Sequence, residues 1–254
     1  MQLEEYSLKR IENASDRTNL FEDCAWLYEL CREYLFRDHT EQIIHSLFPS
    51  GLPAQSAQVL EVGCGPGFYA RRLARRFEDL DLLGIDRSPR MVSSARRRAK
   101  ADGLTNCRFV VGDVEQLCDF VEPVDAIISS RLLLVVTDPS RVMAELFRVL
   151  KPGGSLFLAE PTARVKTHLP LSAMRLVYAL MPPSRRLSGP WTANILASRQ
   201  FRDLIHSQPW LRCSFQRHGD YQCCVCRKGF PEPADADELL MAAGSISDDS
   251  RRSP

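Results

Sequence analysis

The middle of the chain alternates short apolar runs with helix-like segments, and this alternation is the strongest constraint on its fold. Runs such as "QVLEVG", "DLLGID" and "VDAIISS" have the length and composition of buried strands. Strands that alternate with helices predict a parallel sheet covered on both faces. We therefore expect a doubly wound α/β domain. The expected strands lie at 58–63, 81–86, 107–113, 124–130 and 155–161, and the expected helices at 67–77, 89–101, 115–119 and 139–150.

The ends of the chain break this rhythm. Apolar residues at helical spacing predict a helix from about 20 to 48, in an N-terminal segment 1–50 that would cap the domain. The domain itself is expected over 51–230, with a helical insertion at 162–208 after the fifth strand. A helix near 197–207 and strands near 211–217 and 221–228 follow, and "KPGG" at 151–154 reads as a turn. The tail 231–254, rich in Pro, Asp, Ser and Ala, is expected to be disordered.

Charge and hydropathy set limits on the partners. The 254 residues carry a formal net charge of +1, and the arginine run "SARRRAK" lies on a predicted helix as a solvated face. We therefore expect no nucleic-acid partner. The first residues lack an apolar leader, and the later apolar stretches are too short to cross a bilayer. The sequence thus predicts a cytoplasmic protein with no stable membrane insertion, while its oligomeric state stays open.

The chain has nine cysteines, an odd number that favours reduced thiols. "CCVC" at 223–226 invites a metal interpretation. It lacks a second ligand pair at zinc-finger spacing, and its surroundings alternate like a strand. Free, mostly buried thiols are the favoured interpretation, and no metal is expected.

The stretch "VLEVGCGPGFYARRLARRF" joins the first strand to its helix through three glycines, Gly63, Gly65 and Gly67. Glycines in such a turn accept a positive φ and let a ligand approach the main chain. The third glycine comes one residue too early for a dinucleotide fingerprint, and Pro66 removes one backbone N–H. The turn is therefore expected to meet an uncharged or zwitterionic group rather than a pyrophosphate.

Three carboxylates mark the ends of the first three strands. Glu61 either pairs with an arginine or helps to hold a ligand's amino group, and its place before the turn favours the ligand. Asp86 follows the turn by about 20 residues, where an acid accepts hydrogen bonds from ribose hydroxyls. The alternative is that Asp86 caps the next helix, but Ser88 is the better cap. Asp113 either receives an adenine amine, with Val114 facing the ring, or simply stabilises a turn. Met91 would flank the adenine or belong to the core.

Five stretches in this order resemble the successive motifs of class I S-adenosylmethionine (SAM)-dependent methyltransferases. They are "VLEVGCGPGFYARRLA", "LLGIDRSPRMV", "FVVGDVEQL", "VDAIISSRLLLVVTD" and "ELFRVLKPGGSLFLAEP". The resemblance covers about residues 56–161 and is closest to small-molecule enzymes of the quinone-biosynthesis type. It implies a Rossmann-like seven-stranded sheet whose last strand is antiparallel, with SAM as the cofactor.

The resemblance also implies a cofactor-binding set. The glycines would cradle the methionine part of SAM, Asp86 would hold the ribose, and Ser129 would offer its backbone carbonyl to the methionine amino group. The whole set is Glu61, Gly63, Cys64, Gly65, Gly67, Asp86, Arg87, Met91, Asp113, Val114 and Ser129.

The sequence offers two candidate catalytic residues. Many relatives carry histidines after the fourth strand, where this chain reads "RLLLVV", so a histidine base is not expected there. His168 and Arg131 are the remaining candidates. The sequence predicts methyl transfer to a small apolar or aromatic acceptor. Two alternatives stay open, a catalytically silent SAM-binding or partner protein and an NAD(P)-dependent oxidoreductase.

Overall fold

The computed structural model describes residues 37–49, 53, 55–162 and 195–230 of the chain. Within them, helices and strands alternate from Gln58 onward as the apolar pattern predicts. The elements in chain order are α1 Thr40–Leu47, β1 Gln58–Val62, α2 Phe68–Arg76, β2 Asp81–Asp86, α3 Pro89–Ala101, β3 Cys107–Val111, a 3₁₀ helix Val114–Asp119, β4 Val124–Ser130, α4 Pro139–Val149, β5 Leu150–Pro161, α5 Ser198–Ile205, β6 Trp210–His218 and β7 Tyr221–Lys228.

All seven strands form one sheet in the order β3-β2-β1-β4-β5-β7-β6. The neighbours from β3 to β5 are parallel, whereas β7 runs antiparallel to both β5 and β6. This confirms the doubly wound α/β sheet with an antiparallel last strand. The strand order reverses between β1 and β4, and ligands in open α/β sheets bind beside the carboxyl ends of the strands at such a point.

The sheet is buried on both faces by two apolar clusters. Val59, Ile128 and Phe157 belong to one cluster, which α1, α2 and α3 help to cover. Leu60, Ile127 and Leu156 belong to the other, beneath α4 and α5. Adjacent residues of one strand thus join opposite clusters, as the pleat requires. The parallel strands are apolar on both sides for this reason.

Helix starts follow the local sequence. The Ser88 hydroxyl accepts a hydrogen bond from the Met91 N–H with Pro89 at the first position of α3, which confirms Ser88 as the N-cap. Asp138 caps α4 in the same way, receiving the N–H groups of Ser140 and Arg141.

Two sequence predictions need correction. The helix expected from 20 to 48 does not include residues 37–39, which are not helical, and α1 begins at Thr40; residues 20–36 lie outside the described ranges. The Asp38 carboxylate receives the Thr40 N–H at 2.8 Å, which marks the break as a helix start. The "KPGG" turn is absorbed into β5, where Leu150 and Ser155 pair with Val124 and Ala126 across a register shift. Gly153, with φ +76°, allows this irregularity.

Several expectations fall outside the described residues. They are the first part of the N-terminal cap, most of the insertion at 162–208 including its apolar helix, and the tail 231–254. The domain boundaries stay a prediction. No helix in the described ranges is long and apolar enough to span a membrane.

Candidate functional site

A cleft opens at the carboxyl ends of β1 to β4, and its lining includes the predicted strand-end carboxylates Asp86 and Asp113. Its volume is about 1100 Å³ when the open mouth is included. The open mouth leaves the residues of the cleft wall accessible to a ligand.

Two sets of residues line the cleft. The set after β1, β2 and β3, here called the turn side, is Gly63, Gly65, Ile85, Asp86, Arg87, Ser88, Met91, Gly112, Asp113, Val114 and Glu115. The set after β4, here called the loop side, is Arg131, Leu132, Leu134, Val135 and Val136.

The glycine turn requires glycine on geometric grounds. Gly63, Gly65 and Gly67 have φ of +62°, +52° and +73°, the left-handed region that other residues rarely adopt. A Cβ on Gly63 would lie 2.9 Å from Cδ1 of Leu132, a residue of the loop side. One on Gly67 would lie 2.7 Å from the ring of Phe109. The turn thus brings bare backbone to the cleft wall.

Asp86 ties the turn to the second strand. Its Oδ2 accepts the Gly65 N–H at 2.8 Å, and its Oδ1 accepts the Ser88 N–H at 2.9 Å. Each carboxylate oxygen has lone pairs for a further donor, and the residue lines the cleft. Asp86 is therefore placed to hold the turn and to receive ligand hydroxyls at once.

Asp113 and Val114 lie at the end of β3 on the same wall. The Asp113 carboxylate accepts the Glu115 N–H at 3.1 Å and caps the 3₁₀ helix. Both interpretations of this aspartate are compatible with that placement, because a carboxylate can accept several hydrogen bonds at once. Met91 and the exposed Arg87 complete this wall from the start of α3.

Glu61 does not line the cleft. It is 4% exposed, and its carboxylate accepts the N–H groups of Tyr69 at 3.4 Å and Ala70 at 2.8 Å. The N-cap of α2 is Gly67, which offers no side-chain acceptor, so Glu61 supplies one to the first turn of that helix. The acid orients the helix that follows the glycine turn.

Three other predicted site residues also lie behind the wall, namely Cys64, Gly67 and Ser129. Burial, followed by the charges of Asp86 and Glu61, raises the pKa of the Cys64 thiol well above its usual value, so it is not a nucleophile. The fully buried Ser129 hydroxyl has no hydrogen-bond partner among the described residues. His168 lies outside the described ranges, whose cleft-lining residues include no histidine.

Arg131 is the cation of the loop side. It is only 6% exposed, and its φ of +61° is unusual for a residue with a side chain. Its N–H bonds to the Ala159 carbonyl at 2.9 Å, and its Nη1 donates to the Tyr221 hydroxyl at 2.9 Å. Backbone and side chain are thus both held, and the arginine reaches the cleft wall from β4.

Sequence reasoning missed Glu160, which holds the loop side in place. It is 2% exposed, and its Oε1 accepts the N–H groups of Leu132 and Leu133, both at 2.9 Å. Burial raises the pKa of this carboxyl to about 7, although these N–H groups and Arg131 act in the opposite direction. An acid in the apolar strand "SLFLAEP" was the available signal, the same signal that singled out Glu61.

The two sides suit different chemical groups. The turn side offers backbone and carboxylate acceptors, which fit hydroxyl and amino groups of a ligand. The loop side offers aliphatic side chains around one guanidinium, which fit an apolar body with an anionic group. The cleft therefore favours two ligands of unlike character that meet between the sides.

A family model described as "Methyltransferase domain" matches residues 54–186. Among curated relatives, the chain is 34% identical over 142 residues to a trans-aconitate 2-methyltransferase of Methylobacterium radiotolerans, covering 54% of this chain and 46% of that protein. It is 25% identical over 156 residues to a malonyl-[acyl-carrier protein] O-methyltransferase of a Paenibacillus strain, covering 60% and 54%. The matched part thus spans about half the length of these relatives.

A solved SAM-dependent methyltransferase of Methanosarcina mazei has the same fold. It superposes with a TM-score of 0.53 at 20% sequence identity, covering 72% of this chain and 97% of that one.

Proposed function

Because the chain belongs to the class I SAM-dependent methyltransferases, we propose that it transfers a methyl group from SAM to a small acceptor with an apolar or aromatic body. The proposal rests on one observation: the same cleft is lined by the glycine turn and Asp86 on its turn side and by an apolar loop with one arginine, Arg131, on its loop side. The proposal extends the family assignment to an activity and an acceptor class.

The residues of the turn side fit SAM. The left-handed glycines bring backbone to the wall, so the methionine part of the cofactor would lie against Gly63 and Gly65. Asp86 would receive the ribose hydroxyls, and Asp113, Val114 and Met91 would surround the adenine. Pro66 lacks the N–H that a phosphate would need, which favours SAM over a dinucleotide. Membership of the methyltransferase family likewise favours SAM over the alternative of an NAD(P)-dependent oxidoreductase.

When bound, SAM supplies a methyl group activated by its sulfonium. The contribution of the chain is to hold the acceptor in line with that methyl and to exclude water. Leu132, Leu134 and Val135 would pack on the acceptor, while Glu160 keeps this loop in one conformation through its backbone N–H groups.

The loop side also restricts the acceptor's charge. A buried guanidinium at the cleft favours an acceptor that is already anionic at neutral pH, such as a carboxylate or a phenolate of low pKa. Such an oxygen needs no general base, which agrees with the lack of histidine among the described cleft residues. A relative named for trans-aconitate, a carboxylic acid, supports this preference.

We also propose that the protein works in the cytoplasm without a nucleic-acid partner. The nearly balanced charge supports the second part. The seven described cysteines are all free thiols, which supports a reducing compartment.

The test is the formation of S-adenosylhomocysteine from SAM with a panel of apolar and aromatic carboxylic acids and phenols. Each acid is matched by its neutral amide, and each phenol by its methyl ether. We expect product from anionic members, and a loss of about 10- to 100-fold in kcat/KM for Arg131→Gln, the range for a hydrogen bond to a charged group. Turnover of the neutral analogues alone would overturn the acceptor class. SAM binding without any turnover would favour the catalytically silent alternative.

A further inference from the structure

Three cysteines meet on β6 and β7, the two antiparallel strands at the edge of the sheet. Cys213 of β6 and Cys226 of β7 face each other in the strand register, and their sulfurs are 3.4 Å apart. The sulfur of Cys224 lies 3.3 Å from that of Cys226. All three sulfurs lie within 4.8 Å of one another. We call these residues the thiol triad.

We propose that the thiol triad is a three-sulfur binding site for a thiophilic divalent metal ion of the zinc and cadmium class. This inference is independent of the methyl-transfer proposal, because no triad residue lines the cleft.

The geometry supports a metal ion. A tetrahedral zinc ion with Zn–S bonds of about 2.3 Å separates its sulfurs by about 3.8 Å. To hold such an ion, the Sγ–Sγ distances of 3.4 Å (Cys213 to Cys226) and 3.3 Å (Cys224 to Cys226) must lengthen by a few tenths of an ångström. The third distance, from Cys213 to Cys224, is at most 4.8 Å. Three side chains already point to one place, so the site is largely formed before any ion binds.

The donor set and its surroundings select the class of ion. The group contains sulfur alone among the described residues, and thiolates favour soft or borderline ions over Mg²⁺ and Ca²⁺. Each thiol releases its proton to solvent when it binds the ion. A divalent ion with three thiolates leaves one net negative charge in an apolar cluster, whereas a monovalent ion would leave two, so the divalent ion is the less costly.

Access is provided by Cys213. Cys224 and Cys226 are fully buried, but Cys213 is only half-buried on the edge strand. An ion can enter from that side, and a water or other small ligand can complete the tetrahedron there. The bound ion would join β6 to β7 and stabilise the edge of the sheet.

Burial raises the pKa of the Cys213 thiol, whereas a hydrogen bond with Cys224, followed by burial, raises the pKa of the Cys226 thiol. An ion must displace these protons to bind, so the triad is expected to bind it more tightly as the pH rises.

The experiment uses the full chain, purified under reducing conditions, in two measurements. Its zinc content is determined by elemental analysis, and the metal-free protein is titrated with Cd²⁺ while the thiolate-to-cadmium charge-transfer absorbance is followed. We expect one ion per chain and a higher Tm with the ion bound. Cys213→Ala and Cys226→Ala should each abolish stoichiometric binding.

Cys223→Ala is the matched control, because Cys223 is the buried neighbour of Cys224 in β7 but faces the opposite core cluster. This variant should bind Cd²⁺ like the unaltered chain. Circular dichroism shows whether each variant is folded. Because Cys213 is only half-buried, Cys213→Ala still tests the proposal if Cys226→Ala does not fold. Binding that survives in Cys213→Ala, or absence of binding in the unaltered chain, would overturn the proposal. So would a disulfide between Cys213 and Cys226 in the reduced preparation.

Discussion

The turn side and the loop side of the cleft are both held by carboxylates that accept backbone N–H groups, yet they differ in what they show the ligand. On the turn side, Asp86 lies in the wall itself, so one group orders the turn and also faces the cleft. On the loop side, Glu160 lies behind the wall, and aliphatic side chains and Arg131 face the cleft. The first arrangement suits a constant cofactor, while the second can change its side chains without losing its anchor.

The largest effect is expected at the glycine turn. Gly67→Ala should lower the free energy of unfolding by about 3 kcal/mol, since it adds left-handed strain and a Cβ 2.7 Å from the buried Phe109 ring. Urea denaturation measures the loss. Gly103→Ala is the control, because Gly103 has φ +70° but no heavy atom within 4 Å of the added Cβ. It should cost about 1 kcal/mol from strain alone. Equal losses in the two variants would refute the packing argument.

The second effect is a pH dependence at the loop side. The pKa of Glu160 is raised from 4.5 to about 7 in the folded protein, so the folded state binds its proton more tightly than the unfolded state does. The resulting stability is fully present below pH 4.5 and is lost as the pH rises through about 7. The loss amounts to up to about 3 kcal/mol.

Denaturation at about pH 5 and about pH 8, on either side of most of this titration, measures the dependence. Glu160→Gln removes the titrating group, so its stability should fall less over this range than that of the unaltered chain. Parallel pH profiles for the two proteins would show that Glu160 does not titrate as its burial requires.

The third effect is a loss of SAM affinity that is expected only for a change on the turn side. Asp86→Ala should weaken SAM binding by about 1–3 kcal/mol, the cost of leaving charged hydrogen bonds unmade. The matched control is Asp81→Ala at the opposite end of β2, where the carboxylate makes an exposed pair with Arg108. Calorimetry should find its SAM affinity unchanged. An affinity loss shared by both variants would point to general damage to β2 rather than to a ligand contact.

The smallest effect belongs to the support of Arg131. Tyr221→Phe removes the hydroxyl that receives Nη1 at 2.9 Å, a hydrogen bond worth about 1 kcal/mol, so KM for an anionic acceptor should rise roughly fivefold. SAM affinity should not change, because Tyr221 does not line the turn side. If SAM affinity falls while acceptor KM stays constant, Tyr221 and Arg131 belong functionally to the cofactor.

The strands and helices of the described domain were predictable because their signals are local. Apolar runs of strand length, Pro89 after Ser88 and the glycines of the turn each act within a few residues. The antiparallel last strand came instead from the family resemblance. The start of α1 at Thr40 was not predicted, because apolar residues at helical spacing occur in the sequence on both sides of residues 37–39.

The site was less predictable because its contacts join distant segments. Glu61 stood out as an acid in an apolar strand, whereas Glu160 was missed although it carries the same signal. Both accept backbone N–H groups, which leave no trace in residue identity. The thiol triad depends on the register of β6 against β7, which places Cys213 opposite Cys226. "CCVC" alone contained two of the three sulfurs and could not indicate the third.

The most direct test of the account is calorimetric titration of the protein with SAM, S-adenosylhomocysteine and NAD in parallel. The account predicts micromolar binding of both adenosyl compounds, about −8 kcal/mol, and no binding of NAD. Binding of NAD, or no binding of either adenosyl compound, would contradict the assignment of the glycine turn and Asp86 to the cofactor.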